Sequence, residues 1–369
     1  MYTIPFFNYP AIFAERDKEY LNSFENTLRR GAYIMQEELS EFEFNLSKFL
    51  GCKYAIGVAD GTAALEMSLA AANLEQGDEV IVSSHTFIAT AAAVHHMGGV
   101  PVVADCCSDS MIDPNSIRRL INPKTKIIMP TQLNGRTCDM DALIDIADEY
   151  SLKIVEDSCQ AMGAVYRDTK AGLYGVAGSY SFYPAKTLGC FGDGGAVVTN
   201  DDDIAAKIFQ LRDHGRDPET GKVTMFGRNG RLDNIQAGIL NIKLASYTEA
   251  IDRRRQIAQI YQDLLSEEKD LILPPGPNSD KIRFDIFQNY EIQAYNRDAL
   301  RQHLSNRGIG TILQWGGWML HQFDDLRLRS DASYAEDMSQ RFMLLPMHHM
   351  LKDQEVYYIC EQIKDFYKQ

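Results

Sequence analysis

Lys186 lies in SYSFYPAKTLGCFGDGG (179–195), 29 residues after Asp157, which closes the apolar run KIVED (153–157). A lysine amine condenses with an aldehyde, and a carboxylate beneath a pyridine nitrogen keeps that ring protonated and able to accept carbanion electrons. The order and spacing of the two residues suggest pyridoxal phosphate chemistry. Lys186 would carry the Schiff base and shuttle protons, and Asp157 would pair with the ring nitrogen. Either residue alone carries little weight, because strand-terminal Asp residues bind ligands of many kinds and most lysines are solvated.

Other segments offer groups such a cofactor would need. In ADGTAALEMSLAA (59–71), Gly61 and Thr62 sit between a strand and a helix, where backbone N–H groups bind phosphate. The same residues also suit an ordinary helix cap, since Asp60 and Thr62 both favour that position. Phe87 in SSHTFIAT (83–90) is placed either to stack on a flat cofactor or to fill the core, and His85 beside it reads as a satisfied buried histidine. Gln160 follows Asp157 by three residues, so a helical turn there would bring both to one face, with the amide at the cofactor's phenolic oxygen. Ser181 could complete a phosphate cup, and GDGG (192–195) suits either a re-entrant loop or a hairpin turn. Arg228, Asn229 and Arg231 in GRNGRLDNIQAGIL (227–240) precede a helix and suit phosphate or carboxylate recognition, or a solvated loop.

These residues need a scaffold that gathers strand ends. Apolar runs at 54–59, 79–84, 100–105, 126–131, 152–157 and 195–200 alternate with helical patterns at 62–74, 87–98 and 140–151. That rhythm predicts an α/β fold with a mostly parallel sheet covered by helices on both faces. Ligands of such sheets collect at the strands' carboxyl ends, where Asp60, His85, Gln132 and Asp157 fall. Helices are expected at 15–29, 201–215 and 232–264. The proline-rich LILPPGPNSDK (271–281) marks a change of character. The division read from this is a large domain over 1–245, including the N-terminal helix, and a smaller α+β domain over 246–369.

Composition narrows the function classes. The 369 residues are 45% hydrophobic, with no apolar run of the roughly 18 residues a membrane helix needs. The N-terminus lacks a secretory pattern, so a cytoplasmic protein is expected. A formal charge of −14 without a basic block argues against nucleic acid or an anionic membrane as partner. Seven scattered cysteines without CxxC suggest neither a disulfide framework nor a zinc site, and no metal is expected. GVADGTAA after the first strand is not GxGxxG, which removes a dinucleotide-binding dehydrogenase from consideration.

Taken together, GTAAL (61–65), CDMDAL (138–143), VEDSCQAMGA (155–164), SFYPAKTLGCFGDGGAVVTND (181–201), HG (214–215) and NGRLDNIQAGIL (229–240) resemble the DegT/StrS family of sugar aminotransferases, pyridoxal phosphate enzymes of fold type I. The likeness runs from IPFFNYP (4–10) to LLPMHHML (344–351). It implies that Lys186 forms the Schiff base, Asp157 meets the pyridine nitrogen, Gln160 the ring hydroxyl and Phe87 the ring face. Gly61, Thr62, Ala63 and Ser181 would hold the phosphate, and Asn229 would reach it from the neighbouring subunit of a homodimer. Lysine at 186 favours transamination over the dehydration of relatives that carry histidine there. The implied reaction moves an amino group from L-glutamate to a nucleotide-linked (dTDP, UDP or GDP) 4-keto-6-deoxy sugar, or alternatively a 3-keto sugar, in amino-sugar biosynthesis of the lipopolysaccharide O-antigen kind. The contrasting reading is a non-catalytic protein that binds pyridoxal phosphate or a nucleotide sugar, against which Lys186 and Asp157 both argue. Candidate substrate residues are Tyr183, Arg231, Gln314, Trp315 and His321. QWGGWMLHQF (314–323) departs from the His-Tyr pair frequent in the family, and Asp60 stands where Ser or Asn is usual.

Overall fold

Continuous Val/Ile/Ala runs become strands buried on both faces. They are β1 (Tyr54–Val58), β2 (Glu79–Ser83), β3 (Val100–Ala104), β4 (Thr125–Met129) and β5 (Lys153–Asp157) in a computed structural model that describes residues 3–368. The short β6 (Val165–Tyr166) and β7 (Thr169–Lys170) follow, then β8 (Ala177–Ser181) and β9 (Gly195–Thr199). Beyond them lie β10 (Leu271–Ile272), β11 (Arg283–Phe284), β12 (Tyr290–Ala294), β13 (Arg329–Asp331) and β14 (Phe342–Leu345). Eight strands form one sheet in the order β1-β9-β8-β5-β4-β2-β3-β13. From β8 to β13 neighbours run parallel, while β9 is antiparallel to both β8 and β1.

Alternate residues of each strand feed different cores. Ala55, Ala196 and Val198 pack with the helices Glu37–Leu50 and Asn234–Leu244. Ile56, Val58 and Val197 pack with the helices Gly61–Ala71 and Asp202–Arg212. The sheet is therefore covered by helices on both sides, as the strand–helix alternation predicts.

Three features differ from the sequence expectation. β8 (AGSYS) has none of the Val/Ile content of its neighbours, yet it occupies the middle of the sheet. Its small residues answer a steric demand, since a Cβ on Gly178 would lie 2.2 Å from the Gly172 carbonyl oxygen. The helix expected over 232–264 is two helices, Asn234–Leu244 and Tyr247–Leu265. The split at 245/246 is also crossed three times. Tyr247 and Ile251 belong to a core of the large sheet, β13 closes that sheet's edge, and Ile4 joins the core of the C-terminal unit. That unit has its own sheet, β10-β12-β14, packed on the Tyr247–Leu265 and Asp353–Tyr367 helices.

Candidate active site

At the carboxyl end of the parallel strands lies a cleft of about 660 Å³, lined by Lys186, Asp157, Gly61, Thr62, Ser181 and Phe87 among others. β5 delivers Asp157 to its floor, 5% exposed. One carboxylate oxygen accepts a 2.7 Å hydrogen bond from Thr90 Oγ1, and the other accepts from the Cys159 N–H at 3.2 Å. Thr90 is itself held through Thr86 Oγ1 (2.8 Å), to which Thr131 Oγ1 donates at 2.8 Å. This threonine chain fixes the carboxylate's rotamer from behind, and no sequence pattern announced it.

Lys186 sits in the loop joining β8 to β9. Its N–H donates to Tyr183 O at 2.8 Å. Gln288, just ahead of β12, grips the loop on both sides of the lysine. Its Oε1 accepts from the Thr187 N–H (2.6 Å) and hydroxyl (2.7 Å), and its Nε2 donates to Ala185 O at 2.9 Å. Burial lowers the Lys186 pKa from the usual lysine range, with Cys159 and Asp157 opposing the shift. A buried amine loses hydration that favours its charged form, so more of it is neutral and nucleophilic near pH 7.

The cleft is also lined by the start of the Gly61–Ala71 helix, whose first-turn N–H groups have no intrahelical acceptor. Gly61 packs so tightly on Ser181 that a Cβ there would meet the serine Cβ at 2.8 Å, which brings backbone and hydroxyl to one spot. Asp60 turns its carboxylate onto the helix as an N-cap, accepting from the Ala63 N–H at 2.8 Å. That bond corrects the expectation for Ala63. Its N–H is already committed and the residue is buried, outside the cleft lining.

Phe87 (49% exposed) and Tyr183 (52% exposed) present rings at the cleft walls, with Trp315 tilted beside Phe87 at a centroid distance of 6.2 Å. Trp315 holds a left-handed backbone (φ 51°), followed by Gly316 (76°) and Gly317 (90°). A tryptophan in that region is strained and persists only where its surroundings impose it. Asp193 also lines the cleft, a carboxylate not singled out from the sequence.

The DegT/DnrJ/EryC1/StrS aminotransferase family profile matches residues 14–364. The chain belongs to that family. A dTDP-3-amino-3,4,6-trideoxy-α-D-glucose transaminase from Streptomyces venezuelae is 37% identical over 314 residues, 85% of this chain and 82% of that one. A UDP-2-acetamido-2-deoxy-3-oxo-D-glucuronate aminotransferase from Pseudomonas aeruginosa is 34% identical over 337 residues, 91% and 92% of the two chains. The crystal structure of S. venezuelae DesV in complex with a ketimine intermediate superposes with a TM-score of 0.94 at 32% identity, over 100% of both chains.

The aminotransferase cofactor is pyridoxal 5′-phosphate, and the cleft fits it. A half-buried lysine and a carboxylate share one cavity, with an aromatic wall at Phe87 and a helix N-terminus for the phosphate.

Several candidates lie elsewhere. His321 is outside the cleft lining, its Nε2 3.0 Å from Glu336. Arg231 is paired with Asp213 at 2.6 Å, also outside the lining. Gln314 is 4% exposed and hydrogen-bonded within the protein, so it does not present its amide to a ligand in the cleft. Asn229 is exposed on a loop beyond its own chain's cleft. Of the four strand-end residues expected to share a site, Gln132 instead donates to the buried Glu156 (2.7 Å), and His85 is fully buried against Glu291.

Proposed function

We propose that the chain transfers an amino group from L-glutamate to a nucleotide-linked keto sugar. The observation carrying this reading is the shared cleft of Lys186 and Asp157 in a chain of this family. Pyridoxal phosphate supplies the electron sink for the carbanion formed at the amino donor. Asp157, its rotamer fixed by Thr90, would hold the proton of the ring nitrogen, and Phe87 would cover the ring face. Gly61, Thr62 and Ser181 would bind the phosphate. Lys186 Nζ, its pKa lowered by burial, would take the donor's α-proton and return a proton to the sugar carbon that gains nitrogen.

A 3-keto sugar is favoured over the 4-keto sugar expected from the sequence, because the names of both relatives above place the amino or oxo group at carbon 3. The protein would act as a homodimer. Asn229 stands exposed on the same loop as a fully exposed Phe226 (103%), and the helix Asp17–Arg30 leaves Leu21, Phe24 and Leu28 open to solvent. Those apolar groups suit a subunit contact, from which Asn229 would reach the partner's phosphate site. No helix among the described residues is long and apolar enough to cross a membrane. A cytoplasmic location, with the sugar nucleotide pool, fits this function. The test is incubation of holoenzyme with L-glutamate and dTDP-, UDP- or GDP-linked 3-keto and 4-keto sugars, with product regiochemistry read by NMR. A 3-amino product is expected. A 4-amino product would overturn the 3-keto preference, and no amine from any of them would overturn the sugar-nucleotide reading.

A further inference from the structure

Beneath the Gln160 side of the cleft runs a buried polar network that crosses between the two units of the fold. Gln160 Oε1 accepts from the Asn134 backbone N–H at 2.9 Å and from Asn289 Nδ2 at 3.3 Å. Gln160 Nε2 donates to Gln314 Oε1 at 3.3 Å. Gln314 Nε2 in turn donates to Glu291 Oε2 and to Asn134 Oδ1, both at 2.8 Å. Glu291, on β12, also accepts from Ser110 Oγ (2.9 Å) and faces His85 Nε2 at 2.9 Å.

The two ends of this chain are chemically unambiguous. A backbone N–H can only donate, and an ionised carboxylate can only accept. Burial pushes the Glu291 pKa up, but His85, Gln314 and Ser110 outweigh it and hold the group below the usual carboxylate range. With Glu291 an acceptor, Gln314 must offer its NH₂ there and turn its carbonyl to Gln160. With the Asn134 N–H a donor, Gln160 must turn its carbonyl inward, which leaves its NH₂ as the group free to swing between Gln314 and the cleft that Gln160 lines.

We infer that Gln314 and Glu291 are positioning residues that set the orientation of the Gln160 amide, so that a hydrogen-bond donor faces the hydroxyl of the cofactor ring. This rests on the reading of Gln160 as the ring-hydroxyl contact. A donor at that oxygen stabilises its ionised form and draws off its charge, which lessens the stabilisation of a proton on the Lys186 nitrogen nearby. If the amide is free to flip, the carbonyl meets the oxygen, and that nitrogen holds its proton to higher pH.

The experiment titrates the visible absorption of holoenzyme against pH for the wild type, Gln160→Met, Gln314→Met and Glu291→Gln, with the thermal midpoint of each measured alongside. Gln160→Met should raise the spectral midpoint by about one pH unit, and each of the other two by at least half of that. A folded Gln160→Met with an unmoved midpoint would overturn the contact reading itself. A shift in Gln160→Met without one in Gln314→Met and Glu291→Gln would overturn the positioning role alone. Changes in thermal midpoint with no spectral shift would count as packing only and also overturn it. Should either network variant fail to fold, the other decides.

Discussion

The two walls of the cleft are built by different means. One is made of strand ends, the helix that follows a strand and the loop that leaves β8: Asp157 on β5, Ser181 on β8 with Lys186 in the loop after it, and Gly61 and Thr62 after β1. Sheet register fixes their spacing, as when Asp157 pairs with Ser179 across β5 and β8. The other is the 314–317 turn, which brings Trp315 to the cleft in a left-handed conformation and buries its neighbour Gln314. Strands position atoms to a fraction of an ångström through many shared hydrogen bonds, whereas a strained turn depends on side chains packed behind it. Chemistry common to a family belongs on the first wall, and substrate choice can vary on the second.

If that division is right, damage to the strand-end wall should cost far more than damage to the turn. Lys186→Ala should lower turnover about 10⁴-fold while the protein still takes up the cofactor, non-covalently, as read by colour lost on denaturing gel filtration. Asp157→Asn should cost about 10³-fold in kcat, with less change in KM. Thr90→Val removes the 2.7 Å bond to Asp157 and should cost about 1–2 kcal/mol in cofactor affinity, measured by fluorescence titration. Trp315→Ala should raise the KM for the sugar about tenfold and leave kcat within a few-fold; an effect as large as that of Asp157→Asn would erase the contrast between the walls. His321→Ala, outside the cleft, should alter neither constant by more than about twofold.

The lowered pKa of Lys186 gives the strand-end wall a pH signature. Cofactor capture by the apo protein needs the neutral amine, so its rate should climb with pH and level off below the ordinary lysine value of about 10.4. Apo stability should rise over the same window. The unfolded chain still holds the proton that folded Lys186 has released, so stability grows with pH until the unfolded lysine also deprotonates. Subtracting the Lys186→Met profile from the wild-type urea midpoints isolates this contribution, and a difference that falls with pH would contradict the burial of the amine.

The parts of the fold legible in the sequence are those set by local repetition. β1 to β5 and β9 announce themselves as apolar runs between helical periods. β8 was illegible because close approach to Gly172 requires glycine at 178, which breaks the branched apolar run. β13, RSD, was illegible because an edge strand can be polar. Within the site, Lys186, Asp157, Gly61, Thr62, Phe87, Gln160 and Ser181 could be picked out by type and spacing, and they line one cleft. Ala63 and Gln314 could not be sorted from them, since each lies beside a cleft residue, and only the hydrogen bonds to Asp60 and Glu291 take them out of it.

The sequence by itself determined the candidate lysine–aspartate pair and the strand–helix rhythm that carries it, because both are written in residue type and short-range order. Only the tertiary structure decided what surrounds them: the Thr90 chain behind Asp157, the Gln288 grip on the lysine loop, and the Glu291–Gln314–Gln160 network. Most of those partners are remote in the chain: Thr90 and Asp157 lie 67 residues apart, Thr187 and Gln288 101, and Gln160 and Gln314 154. Contacts at such distances leave no periodic trace in the chain, and they exist only once packing has excluded water and forced each buried polar atom to find a partner.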